Sequence, residues 1–157
     1  MVFGRDINAY TGFDETVYNI DNVPNTPELI DTGLLILHDW ANDLLLTDEE
    51  IDAERGVIKE EWRTRQNGNM RVLQKNLPVI TNNTKYASRL PIGIMDVVEN
   101  FEYKVIRDFY HDWYRTDLQA IAVIGDIDVD QIEGKNQKLL STIPAVENPR
   151  ERGDFNI

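Results

Sequence analysis

Apolar residues along the chain change their spacing several times, and each change marks an element. Residues 7–23, INAYTGFDETVYNIDNV, are rich in β-branched and aromatic types and are interrupted at Gly12–Phe13–Asp14, which predicts two short strands joined by a turn or bulge. At Thr26 the pattern becomes helical. Thr26, Pro27 and Glu28 supply a cap residue, a proline suited to the first helical position and an acid in the first turn. Leu29, Ile30, Gly33, Leu34, Leu37, Trp40, Ala41 and Leu44 come next, and Leu35, Ile36 and Leu45 spread apolar surface around most of the circumference. This helix is expected to be largely buried. His38 lies within it and reads as a hydrogen-bonded core or boundary residue, because no second histidine stands at ligand spacing.

Thr47-x-x-Glu50 is a capping box that opens the next helix, with Gly68 expected to end it. Residues 69–80 predict a short helix stopped by Pro78, and 81–93 a polar loop carrying Pro91 and Gly93. Tyr103, Ile106, Phe109, Tyr110 and Trp113 recur at helical spacing and read as core packing, with His111 on the polar side and without a role. Leu118–Ile124 is apolar on both faces, as in a central strand of a covered sheet. Gly125-Asp126 then turns the chain, and Asp128 can cap a last helix running to about Ile143. Residues 147–157 are polar and read as a linker or tail after a folded region 1–146. The order of elements predicts an α+β fold with helices packed on one face of an antiparallel or mixed sheet. Two to four strands make a thin sheet for so much helix, so part of it is expected to be missing.

At 157 residues the chain can bury a core, and its hydrophobic (41%) and charged (28%) fractions are those of a soluble globular domain. The net charge of −12 argues against nucleic acid or an anionic membrane as the main partner. No cysteine is present, so disulfides and thiolate sites are excluded. Apolar runs such as Leu34–Leu37 are too short to span a bilayer, and Arg5 and Asp6 interrupt anything resembling a signal peptide. The compartment is left open.

The chemistry concentrates in Thr47–Arg65. Glu54 and Glu61 are seven residues apart, so at about 100° per residue they lie about 20° from each other on one helical face. Val57 falls on one side of them, and Ile51, Ile58 and Trp62 fall on the other. Asp48, Glu49, Asp52, Lys59, Glu60 and Arg63 take the opposite arc. Acids in an apolar sector need a cation, a metal or a hydrogen-bond donor. Either both reach a solvent rim and pair with Arg55 or Arg65, or they serve a metal site.

Ordered landmarks add a resemblance. They are Asn8-Ala9-Tyr10-Thr11 with Asp14-Glu15-Thr16-Val17-Tyr18, then Glu54-Arg55-Gly56-Val57-Ile58-Lys59-Glu60-Glu61 and Leu90-Pro91-Ile92-Gly93. Phe109-Tyr110 to Trp113-Tyr114-Arg115, Val123-Ile124-Gly125-Asp126-Ile127-Asp128 and Ile143-Pro144-Ala145 complete the series. Together they resemble the pitrilysin (insulinase) family of zinc metallopeptidases, especially its bacterial branch with two homologous halves. The resemblance implies that Glu61 is the third zinc ligand, that Glu54 is the supporting acid behind it, and that Asn8 and Ala9 pair with the substrate backbone by adding a strand. The family's His-x-x-Glu-His motif, which carries two ligands and the general base, is absent, and His38 and His111 stand elsewhere. Residues 1–146 are therefore expected to be a truncated peptidase half-domain that contains no catalytic residue and is inactive alone. Zinc belongs to the intact parent, with none bound tightly by this chain. A second homologous half or subunit and a peptide substrate are the expected partners, and a homodimer through an exposed sheet edge is a further possibility. The other function considered is a non-catalytic partner subunit of an active family member.

Overall fold

The two strands predicted at the start of the chain form a hairpin in the computed structural model, which describes residues 6–153. β1 (Ile7–Thr11) and β2 (Thr16–Ile20) make a two-stranded sheet. Gly12 N donates to Glu15 O and Asp21 N to Asp6 O, both at 2.8 Å, which fixes the antiparallel register. Residues 8 and 10 thus bond toward β2, while Ile7, Ala9 and Thr11 turn their N–H and C=O groups to the outer edge. Six helices come after the hairpin: α1 (Pro27–Asn42), α2 (Asp48–Arg65), α3 (Gly68–Ile80), α4 (Met95–Asn100), α5 (Tyr103–Trp113) and α6 (Val129–Leu140). The expected α+β class holds. No described helix is long and apolar enough to cross a membrane. Of the predicted tail, residues 154–157 lie outside the described residues, as does Arg5.

The chain divides into two compact units. One takes residues up to Ala9, Tyr18–Leu45 and Ile106–Arg150; the other takes Tyr10–Val17, Leu46–Val105 and residues from Glu151. In the first, α1 lies against α6, and Leu34, Ile132 and Ile143 are buried. A cluster of rings completes it. Tyr18 and Tyr114 share a hydrogen bond of 2.5 Å, Tyr18 stacks on Trp40 at 5.4 Å, and the Tyr110 hydroxyl donates to the Trp40 carbonyl at 2.8 Å. Arg115 is the buried charge of this unit; it pairs with Asp117 at 2.9 Å and donates to the Arg150 carbonyl at 2.8 Å.

Several expectations need correction here. Only Gly33 and Leu34 of α1 are buried, and Leu35 is half exposed, because α6 and the Tyr110 side of α5 cover a stripe of the helix rather than its circumference. Thr26 holds the cap position through its backbone carbonyl, which accepts from Leu29 and Ile30, and its hydroxyl makes no cap bond. Leu118–Ile124 is not a strand. After a 3₁₀ turn at Thr116–Leu118, Gln119, Ile121 and Val123 are half-buried, whereas Ala120, Ala122 and Ile124 face water. The alternation is that of a strand, but a strand exists only with a hydrogen-bonded neighbour, and no described residue supplies one. α6 stops at Leu140 because the amides of Thr142 and Ile143 turn back to the carbonyls of Leu139 and Leu140.

In the second unit, Thr47 Oγ1 accepts from Glu50 N at 3.3 Å, as the capping box requires. Gly68 does not end α2, which stops at Arg65; it opens α3, where Asn67 Oδ1 caps the Met70 amide at 3.0 Å. Pro78 does not stop α3 either. It sits in the last turn, where its missing N–H removes one bond and Thr81 N still reaches Leu77 O at 2.9 Å. α4 has no counterpart among the expected elements; its six residues are too few to show a period. α5 forms where the aromatic stripe predicts it, but none of its residues is fully buried and Phe109 is more than half exposed.

Candidate functional site

Each side of α2 has a different fate. Ile51 is only 5% exposed, Ile58 and Trp62 are half-buried, and α2 packs on α4. Arg55 holds that side. Its guanidinium lies 3.7 Å over the Phe101 ring, donates to the carbonyls of Val98 and Phe101 (2.6 Å for the latter) and pairs with Asp52 at 3.1 Å. These carbonyls belong to the end of α4, where the helix dipole favours a cation. Lys59 adds a 2.7 Å pair with Glu99.

The other side is open. Glu54, Val57 and Glu61 are all exposed, Val57 to 57%. Beside them runs a shallow, mostly apolar groove lined by Ala53, Gly56, Val57, Glu60, Glu61 and Thr64. The apolar sector that the wheel assigned to a core is thus split: one flank folds the unit and the flank with the two acids does not. Glu61 is 44% exposed and accepts a hydrogen bond from Arg65, one turn on. Glu54 has no ion-pair partner among the described residues. Glu60 is drawn away by Arg63, whose hydrogen bond (2.7 Å) and charge lower its pKa. The α2 backbone therefore brings Glu54 and Glu61 to one open face. α2 itself carries no histidine, and His38 and His111 belong to the other unit.

A carboxylate on an open face suits zinc as an oxygen ligand, and Arg65 is a surface partner that a metal could replace. Glu61 can supply one ligand where a catalytic site needs three. His38 sits in its own cluster: Nε2 is 3.0 Å from Thr142 Oγ1 and Nδ1 is 3.4 Å from both Asp39 and Asp43. Ligand atoms of these three residues lie within 4.8 Å of one another, but both acids are exposed and the imidazole already has a hydroxyl partner. That fits a hydrogen-bonded boundary residue. Asn8 and Ala9 are exposed on β1, and Asn8 Oδ1 accepts from Ala9 N at 2.9 Å.

Two residues matter more than the sequence alone suggests. Arg55, a candidate partner for the acids, instead clamps α4; the Asp52-x-x-Arg55 spacing is the signal that points to it. Gly56 sits in mid-helix, where a Cβ would meet nothing within 4 Å. Glycine there costs the helix about 1 kcal/mol relative to alanine, without a described contact that needs it.

The profile described as Insulinase (Peptidase family M16) matches residues 2–91, and that of the Peptidase M16 inactive domain matches residues 100–156. The chain is 35% identical to the probable zinc protease PqqL of Haemophilus influenzae over 158 residues, covering all of this chain and 17% of that protein. Against the probable zinc protease PqqL of Escherichia coli it is 38% identical, over 91% of this chain and 15% of that one. The crystal structure of the first half of the periplasmic protease PqqL from Escherichia coli superposes with a TM-score of 0.87 at 37% identity, over 96% of this chain and 32% of that one. The chain thus spans about a sixth of the length of the curated relatives it matches. It belongs to the insulinase (M16) family of peptidases.

Proposed function

We propose that these residues serve a zinc-dependent endopeptidase, to which Glu61 contributes the third metal ligand, Glu54 the acid that orients a ligating histidine, and β1 at Asn8 and Ala9 a strand for pairing with the substrate backbone. The observation that carries the reading is the open face of α2. Within a family whose relatives are named zinc proteases, Glu61 borders an uncovered apolar groove, and Glu54 stands exposed one heptad before it on the same helix. Gly56 supports it, since a bare helix backbone there leaves room for another element to approach closely.

In this reading the histidine ligands and the general base come from outside these 157 residues, and a second homologous half helps to enclose the peptide. Zinc, when bound, activates water and polarises the scissile carbonyl. This chain's own residues do the rest of their work by position. Arg55 fixes the roll of α2, so that Glu54 and Glu61 face outward together. Glu61, whose carboxylate accepts a hydrogen bond from the surface cation Arg65, would be the residue that holds the metal. Ala9 offers its outward N–H and C=O to an extended peptide. Alone, the chain is inactive and holds zinc weakly. Residues 1–146 act as a half-domain, with 147–157 as a linker or tail, and the free hairpin edge makes a homodimer accessible.

The test joins this chain to the histidine-bearing segment and the second half. Peptide cleavage should appear and be abolished by a chelator, and Glu61→Gln should lower both zinc content and cleavage by at least about a hundredfold. Unchanged zinc content and cleavage in that variant would sink the assignment.

A second reading is a non-catalytic partner subunit, favoured by the lack of any His-x-x-Glu-His in the sequence and by the inactive-domain match over residues 100–156. It requires a stoichiometric complex with an active family member on size exclusion. It fails if the two elute separately.

A further inference from the structure

β1 is unusual for an exposed edge. All five of its residues are exposed, and INAYT contains no lysine, charge or proline of the kind that discourages stray pairing. In the hairpin register Asn8 bonds through its backbone toward β2, while Ala9 presents its N–H and C=O to the outer edge. Yet the Ala9 N–H is not bare. Asn8 Oδ1 accepts from it at 2.9 Å, and so stands where the carbonyl of an added strand would have to stand.

We infer that Asn8 is a removable cap on the pairing edge of β1, a side-chain acceptor that competes with the backbone of an incoming extended peptide for the Ala9 N–H. The inference rests on the edge-pairing reading of β1 above and gives Asn8 the opposite sign: it restrains pairing. A primary amide suits the task. It is short enough to reach the next residue's N–H and uncharged, so it leaves by rotation about its own side-chain bonds without exposing a charge. Ile7 and Thr11 also face outward, and no side chain among the described residues accepts a hydrogen bond from their amides. The guard is therefore local to Ala9. A solvent-exposed hydrogen bond of this kind is worth a roughly two- to tenfold handicap to a competitor.

Amide hydrogen exchange by NMR on the 157-residue chain tests the cap directly, with circular dichroism as the control for folding. In the parent sequence the Ala9 amide should exchange severalfold more slowly than those of Ile7 and Thr11. Asn8→Ala should bring it level with them, and Asn8→Asp, which keeps the acceptor, should restore the protection. Equal rates at all three amides in the parent sequence overturn the proposal. The competition is then read with a fluorescent neutral ten-residue peptide of alternating threonine and glutamine. Asn8→Ala should bind it roughly two- to tenfold more tightly, and backbone N-methylation of the peptide should abolish binding. Weaker binding by Asn8→Ala means that Asn8 assists pairing, which also overturns the proposal. If the exchange pattern appears but the peptide binds to no variant, the cap stands and the edge-pairing reading fails.

Discussion

The two units anchor their helices with different chemistry. The first relies on phenols: Tyr18 and Tyr114 share a hydrogen bond, and Tyr110 packs its ring on Tyr114 and donates to the α1 carbonyl of Trp40. The second relies on one permanent cation, Arg55, which takes up the end carbonyls of α4 and the face of Phe101. A phenol can lose its proton within reach of ordinary buffers, whereas a guanidinium cannot. The first unit half-buries the rings of its cluster, while the second uses one side of α2 and leaves the other unspent. Function is best sought where an apolar surface has been formed but not consumed by folding.

The largest effect is expected at Arg55. Arg55→Ala should destabilise the second unit by about 3 kcal/mol in denaturant titrations, because carbonyls at a helix end lose charged donors. Arg55→Lys should recover less than half, since an ammonium lacks the planar fork that reaches two carbonyls. An alanine variant with unchanged midpoint would remove the contrast between the units. Next is pH. Burial, and then the hydrogen bond with Tyr18, pushes the Tyr114 hydroxyl far above the usual tyrosine range; burial pushes Tyr110 up as well. The unfolded chain loses these protons near the ordinary value of about 10, and the folded unit loses them later. The native state then holds more protons, so stability falls as pH climbs past that value. Tyr86 and Tyr103 are also raised, by hydrogen bonds to Asp14 and Asp52, but those hydrogen bonds are exposed. Tyr114→Phe should therefore flatten the alkaline loss more than Tyr86→Phe does, and the reverse ranking would contradict the contrast between phenol and guanidinium anchors.

Smaller effects sharpen the comparison on α2 itself. Val57→Ala on the open side should change stability by less than about 0.5 kcal/mol and even help, since alanine favours a helix. Ile51→Ala on the packed side should cost about 2 kcal/mol, measured in the same titration. The smallest change is expected for Glu61→Gln in this chain, within about 0.5 kcal/mol, because its partner Arg65 is a surface cation. A large loss there would mean that the open face is structural after all.

Local chemistry was legible in the sequence. Gly12–Phe13–Asp14 at the hairpin turn, Pro27 at the head of α1, Thr47 before α2 and Asp128 before α6 each act through neighbours a few residues away, and each appears where expected. The heptad that sets Glu54 and Glu61 on one face was equally legible, because it depends only on helix geometry. What failed depended on partners distant in the chain. Leu118–Ile124 has the composition of a covered strand, without a neighbour to pair with among the described residues, and the helices against α1 cover only a stripe of its apolar circumference. Pro78 and Gly68 mislead for a subtler reason: each looks like a breaker, yet a proline close to a helix end and a glycine just after an asparagine cap are both tolerated.

Arg115 also bears on how the molecule is trimmed. It is buried, and one of its donors rests on the carbonyl of Arg150, thirty-five residues on and close to the end of the described chain. A shortened version ending before that carbonyl would strand a desolvated guanidinium N–H, so a cut made for crystallisation or for grafting belongs after Arg150.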